Sequence, residues 1–297
     1  MNNGKIKVLS FGEVLFDVIN GKEHLGGASM NFAAHLSRLG VEAYILSACG
    51  NDERGSIARR QIKDLGISLD FLNTTNGYQT GIVDVQLQNG QPSYDIVQDV
   101  AYDHIVYSKE QLADMASIGA DAFYFGSLAQ RNEVSRSTLH EILDAFEGRC
   151  VFYDVNLRQD YYSKELIEKS FSYTTILKIN DEELPVISEL LFEVKLSEAD
   201  FYSKISSLYS IELLVVTKGG EGCSVFWPQS SEHIAPVKVK VADAVGAGDS
   251  FSAAFVYNYL SGIAAGKAAH LANKLGAFVA SRNGAIPDYN PKEIFSE

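Results

Sequence analysis

The sequence predicts an α/β protein: a mostly parallel central sheet covered by helices on both faces, with a small β sheet projecting from it as a lid. Three observations carry this. Short apolar runs of strand length alternate with segments of helical periodicity, the pattern of βαβ units and a sheet buried on both sides. Two further segments alternate apolar and polar residues and break that rhythm as antiparallel strands would. The 297 residues, 46% of them hydrophobic, suffice for one large domain spanning 1–297 with a sizeable core.

Taken in order, residues 6–11 form the first strand, starting almost at the N-terminus. Residues 14–20 follow directly as the first lid segment. A helix over 32–39 ends at Gly40, a strand covers 43–48, and a helix over 55–65 ends at Gly66. Residues 80–88 alternate up to an Asn89-Gly90 hairpin turn, and 93–97 return as a second strand. The lid thus comprises about 13–25 and 78–105. Strand 122–125 precedes a helix over 134–146 that ends at Gly148, and strands 150–155, 175–179 and 213–217 complete the pattern. Each helix has glycine where a C′ residue belongs.

Composition excludes several functions. A net charge of −13 with no Lys/Arg-rich block repels phosphate backbones, so nucleic acid is not an expected partner. Cys49, Cys150 and Cys223 are far apart and suit small buried hydrophobes in a reducing compartment, with no cysteine-based metal site. Neither a secretory leader nor a stretch of about 18 apolar residues is read in the sequence, so no membrane association and a cytoplasmic location are expected.

The most informative segment is Asp243-Ala244-Val245-Gly246-Ala247-Gly248-Asp249, followed by a helix-like run over 250–255. Small residues let backbone N–H groups approach an anion, the helix adds the positive end of its dipole, and Asp249 sits beside whatever is held there. That arrangement suits phosphoryl transfer; the alternative is a tight strand-to-helix turn with Asp249 as cap. Other nucleotide motifs fail. The stretch from Gly262 through Gly266-Lys267 is one residue short of a P-loop and lacks the following Ser/Thr, which leaves an ordinary helix junction. Gly246-Ala247-Gly248 lacks the third glycine of a dinucleotide fingerprint. The H-R-D and D-F-G kinase motifs are absent. Near the start, Gly26-Gly27-Ala28-Ser29-Met30-Asn31 allows close backbone approach to a small molecule, while Asn31 and Asp17 offer partners for sugar-like hydroxyls. A turn and N-cap is the alternative there.

Together these residues carry a resemblance to the PfkB, or ribokinase-like, family of carbohydrate kinases. It spans nearly the whole chain: Gly12-Glu13 with Asp17, Gly26-Gly27 and Asn31, Gly50-Asn51-Asp52 leading Gly55, Asp154-Val155-Asn156-Leu157-Arg158, Asn180-Asp181-Glu182-Glu183, Thr217-Lys218-Gly219-Gly220-Glu221-Gly222, Asp243 to Asp249, and Gly284-Ala285-Ile286-Pro287. The resemblance implies a ribokinase-like three-layer α/β/α fold, ATP and Mg²⁺ as cofactors, and Asp249 as the base that deprotonates the attacking sugar hydroxyl. It implies that backbone N–H groups of Gly246, Ala247 and Gly248 form the anion hole. Asn180 and Glu183 match the motif that organises Mg²⁺ through water, and could equally form a capping box. Thr217, Gly219 and Gly222 match a nucleotide-contacting stretch, and Asn273 lies near the implied adenine pocket; a glycine turn between strands explains the first three as well. Asp243, with main-chain carbonyls around Val245 and Gly284, would line a monovalent-cation site, although Asp288 stands where some relatives supply a hydroxyl, so K⁺ use stays open. Ala244 departs from the usual threonine.

Within the family, Gly12-Glu13 and their neighbours, the Asn156-Leu157-Arg158 triplet and the run from Lys178 to Glu183 are most similar to fructokinases. The implied reaction is transfer to fructose, giving fructose 6-phosphate, with Asp17, Gly26, Gly27, Asn31 and Arg158 around the sugar. For Arg158 a surface ion pair is the alternative. Other substrates are 2-keto-3-deoxygluconate, whose carboxylate an arginine suits, and ribose; a nucleoside kinase and a non-catalytic sugar-binding protein are readings of other kinds. The lid's exposed surface implies a homodimer.

Overall fold

Runs of about five apolar residues become strands where both faces can be buried, and the central runs here are buried almost completely. The computed structural model describes residues 5–19, 21–88 and 91–295, the side chains of 85–94 excepted. Its strands are β1 (Lys7–Phe11), β2 (Leu15–Ile19), β3 (Lys22–Gly26), β4 (Glu42–Gly50), β5 (Leu72–Thr75), β6 (Gly81–Gln88), β7 (Gln91–Ile96), β8 (Ala122–Gly126), β9 (Cys150–Asp154), β10 (Ile176–Asn180), β11 (Leu213–Thr217), β12 (Cys223–Trp227) and β13 (Ser230–Ile234). The helices are α1 (Ala28–Arg38), α2 (Glu53–Asp64), α3 (Lys109–Ile118), α4 (Glu133–Asp144), α5 (Lys164–Tyr173), α6 (Glu183–Phe192), α7 (Glu198–Leu208), α8 (Ala247–Leu260), α9 (Ala265–Ala280) and α10 (Pro291–Ile294).

The large sheet has the order β13-β12-β11-β10-β9-β8-β1-β4-β5, with every strand running the same way except β12, which pairs antiparallel with both β11 and β13. Alternation along each strand sends side chains into two cores. On β8, Phe123 and Phe125 join the core shared with α3 to α7, whereas Ala122 and Tyr124 join the one shared with α1, α2, α8 and α9. Chain order runs outward from β1 in both directions, through β4 and β5 on one side and β8 to β11 on the other. Such a reversal opens a crevice beyond the carboxyl ends of the strands, where ligands of open α/β sheets bind.

Over that crevice stands the four-stranded lid, β3-β2-β6-β7. Its two outer pairings are antiparallel, as the alternating segments imply, but β2 and β6 run parallel, with Leu15 opposite Gly81. Asn20 and the Asn89-Gly90 turn lie outside the described residues. Gly40 and Gly66 take φ of +88° and +76° after their helices, whereas α4 ends earlier than the sequence implies, at Asp144 capped by Ala145, and Gly148 instead packs its backbone against the Phe146 ring and the Ala120 carbonyl. The P-loop-like stretch is indeed a helix junction: α9 begins at Ala265, with the Glu232 carboxylate pressed against Gly266. All three cysteines are free and buried. Among the described residues no helix is long and apolar enough to cross a membrane.

Candidate active site

Parallel strands end together, so Glu13 just past β1, Asp154 of β9, Asn180 of β10 and Thr217 of β11 reach the same edge of the sheet. Against it lie the starts of α1 and α8. Gly246 is the N-cap of α8, with φ +77°, and a β-carbon there would fall 2.6 Å from the Ala285 backbone, so only glycine fits. Asp249 is therefore the third residue of the helix, not its cap. The N–H groups of Gly246, Gly248 and Asp249 find no acceptor among the described residues; that of Ala247, expected in the same anion hole, instead donates to the Ala244 carbonyl at 3.3 Å. The helix start thus keeps free donors and the positive end of its dipole.

Asp249 accepts a hydrogen bond from Asn31 Nδ2 at 2.8 Å, joining two residues that stand 218 positions apart in the chain. Burial pushes the Asp249 carboxyl up to about 6, with Asp154 adding to the rise and the Asn31 hydrogen bond, Lys178 and Arg158 opposing it. Asn31 is 4% exposed, and its Oδ1 is buried with no partner. A buried carbonyl left so costs about 1–3 kcal/mol, a cost that a donated ligand hydroxyl removes.

The other residues that the resemblance places around a sugar converge on the same place. Gly27 takes φ +107°, and a β-carbon there would collide with the Glu13 carbonyl, while Glu13 Oε1 accepts the Ala28 N–H at 2.9 Å. Gly26 ends β3 with the Asp17 carboxylate against it. Asp17 accepts no hydrogen bond among the described residues, and burial raises its carboxyl to about 6 against the pull of His24 and Arg158. Arg158 is exposed, donates only to the Leu157 carbonyl at 3.0 Å and is in no ion pair among the described residues. Its charge nonetheless acts on Glu13, Asp17 and Asp249 together. Asn156 and Gln159, on either side, sit at φ +46° and +48°, a conformation that costs about 1–3 kcal/mol and recurs at ligand clamps.

Asn180 and Glu183 form the reciprocal bonds of a capping box: Asn180 Oδ1 accepts the Glu183 N–H at 2.7 Å, and Glu183 Oε2 accepts the Asn180 N–H at 2.9 Å. Glu183 Oε1 takes the Leu157 N–H at 2.8 Å, which ties the Arg158 loop to β10. Thr217 ends β11, and Gly219 and Gly222 make the turn into antiparallel β12. Asn273, on α9, reaches the Ala235 carbonyl at 3.4 Å. Asp243 clamps the loop before α8 by accepting the Val245 N–H at 3.0 Å and the Gly284 N–H at 3.2 Å. Asp288 is taken by Arg38 at 2.7 Å.

Several side chains here carry no role in the sequence analysis. Lys178 of β10 and Asp154 form a buried ion pair at 2.9 Å, and Ser252 of α8 also donates to Asp154. Tyr124 stacks on Phe32 at 3.9 Å, and its hydroxyl, near Asp154, Asp249 and Glu13, is buried without a partner. Arg131 pairs with Asp103 at 2.8 Å and binds the Val97 carbonyl, so it pins the chain leaving the lid. The available signal was a lysine interrupting an apolar strand.

Comparison with known proteins identifies the fold and the family. A 2-dehydro-3-deoxygluconokinase of Thermotoga maritima superposes with a TM-score of 0.80 at 22% identity, over 97% of this chain and 98% of the other. A fructokinase of Xylella fastidiosa, solved with bound ATP, gives 0.83 at 20% over 94% of both. Probable fructokinase-4 of Arabidopsis thaliana is 28% identical over 96% of this chain and 94% of its own. Residues 4–293 match the model of the pfkB family carbohydrate kinases, and the chain belongs to that family.

Proposed function

We propose that this carbohydrate kinase transfers the γ-phosphoryl group of ATP to the 6-hydroxyl of fructose, with Asp249 as general base. The observation that carries it is the Asn31–Asp249 hydrogen bond at the open start of α8. Asn31 Oδ1 and the Asp17 carboxylate accept sugar hydroxyls and orient the ring. Ionised Asp249 takes the proton of the attacking hydroxyl, worth about 10²- to 10⁴-fold, as the sugar oxygen bonds to the γ-phosphorus and the bond to the β-phosphate oxygen breaks. The N–H groups of Gly246 and Gly248 receive the charge that builds on the phosphoryl oxygens.

Thr217, Gly219, Gly222 and Asn273 lie on the nucleotide side in this reading. Asn180 and Glu183, each already bonded to backbone, fit a Mg²⁺ held through its water shell, and that ion would neutralise phosphate charge. Asp243, with the Val245 and Gly284 carbonyls, is where a K⁺ would sit if the enzyme uses one. The acceptance of ATP and three free cysteines fit a cytoplasmic setting. Half-exposed Val18, Leu25 and Ile82 and exposed Ile19 on the lid fit pairing with a second copy.

Fructose is supported by the names of the relatives. The unpaired Arg158 favours a second reading, a sugar acid such as 2-keto-3-deoxygluconate. Steady-state ADP release with fructose, 2-keto-3-deoxygluconate, ribose and adenosine separates them. The first reading expects the highest kcat/KM for fructose, and a higher value for 2-keto-3-deoxygluconate replaces it with the second.

A further inference from the structure

Lys178 lies inward on a strand of the buried sheet, among β10 residues that are nearly all covered. Its side chain is 8% exposed, and lysine is almost never buried to that degree unless paired. The partner is Asp154, whose two oxygens lie 2.9 and 3.1 Å from Nζ and whose Oδ2 also accepts the Ser252 hydroxyl of α8 at 3.0 Å. A buried ion pair is a poor source of stability, since well-packed apolar side chains of similar volume often serve as well or better. The pair therefore calls for another reason.

Position supplies one. A β-carbon built on Gly248 would stand 3.4 Å from Lys178 Nζ, so the ammonium lies directly beneath the first turn of α8, where the free N–H groups of Gly246 and Gly248 are. An ammonium has three donors. Asp154 engages two of them, and the third has no acceptor among the described residues. Burial opposes the charge, but Asp154, Glu183 and Asp249 all face it and keep the group protonated.

We propose that Lys178 is a further catalytic residue: its ammonium, fixed from below by Asp154, donates to the transferred phosphoryl group through the gap left by the missing side chain of Gly248. This rests on the kinase reading above and extends the anion hole from backbone donors to a full positive charge, where charge-assisted bonds are about twice as strong as neutral ones. The free donor is spent only when a third phosphate is present. ADP, which lacks that group, has nothing for it to hold.

The test compares Lys178→Met with the double variant Lys178→Met/Asp154→Asn, which leaves no unpaired charge behind, by titrating ATP and ADP in a calorimeter and by kinetics with fructose. A melting curve for each variant reports folding. The proposal expects ATP affinity to fall at least tenfold with ADP affinity within twofold, and kcat to fall at least 100-fold with KM for fructose within threefold. Equal losses for ATP and ADP, or a folded double variant that keeps kcat within tenfold of wild type, overturn it and leave Lys178 as half of a structural pair. Failure of the kinase reading looks different: the unmodified enzyme then releases no ADP with any sugar, while the ATP-to-ADP comparison still decides the role of Lys178.

Discussion

Two helices of this chain begin with glycine next to small residues, α8 after Gly246 and α9 around Gly266, and they meet opposite fates. Both starts leave first-turn N–H groups without a backbone acceptor, so free donors do not distinguish them. What differs is the surroundings. At α8, Asp249 is held by Asn31, Lys178 and Asp154 lie beneath, and Asn31 Oδ1 and the Tyr124 hydroxyl are buried with no partner. At α9, the Glu232 carboxylate lies against the Gly266 backbone, and none of the side-chain polar atoms buried without a partner among the described residues belongs to that helix or to β13 beside it. Free helix-start donors suit a phosphoryl group where other buried polar groups without partners gather beside them, and mark a plain junction where none do.

The sharpest contrast comes from one substitution at each end. Asp249→Asn is expected to lower kcat by about 10²- to 10⁴-fold with an unchanged melting curve, and Glu232→Gln to leave kcat within about twofold; similar losses at both ends erase the distinction. Next in size, Asp17→Ala should weaken sugar binding by about 1.5–3 kcal/mol, or about 10- to 150-fold, and ATP binding hardly at all, as read by calorimetry. Glycine substitutions extend the comparison to the backbone. Gly246→Ala meets both a φ of +77° and the Ala285 backbone, and should cost several-fold in kcat together with stability. Gly262→Ala, at φ +85° with open space around it, carries only the conformational cost of about 1 kcal/mol, a melting shift of about 2 °C. The mildest probe is pH. As the proposed base Asp249 must be ionised, and burial has raised its carboxyl to about 6, so kcat should climb with pH through about 6 and level off above it. A rate already flat down to pH 4.5 means that another group is the base.

Legibility in the sequence followed burial, with one exception: β12, almost fully buried, was missed because it follows β11 through a short glycine turn with no helix between. Central strands such as 122–125 were plain because two-sided burial demands continuous apolar runs, and the lid was plain because its strands alternate. Edge strands escaped: β3, β5 and β13 carry charged and polar residues with few buried positions, and nothing in Ser230–Ile234 marks it as sheet. Gly148 misled because a glycine near a helix end serves close packing as readily as a C′ position. Motif residues such as Asp249 and Asn31 were legible individually, but their 2.8 Å contact is a product of the fold. Lys178 and Tyr124 were invisible as residues lining this place because they reach it from inside strands, where the sequence shows only an interruption or an aromatic among others.

The comparison is tested most directly by amide hydrogen exchange with and without a non-hydrolysable ATP analogue plus fructose, followed on peptides covering 244–250 and 263–269. Ligand bound at α8 should slow exchange at Gly246, Gly248 and Asp249 and leave the first turn of α9 as it was. Protection confined to 263–269, or none at 244–250 under saturating ligand, would contradict the assignment of phosphoryl transfer to the start of α8.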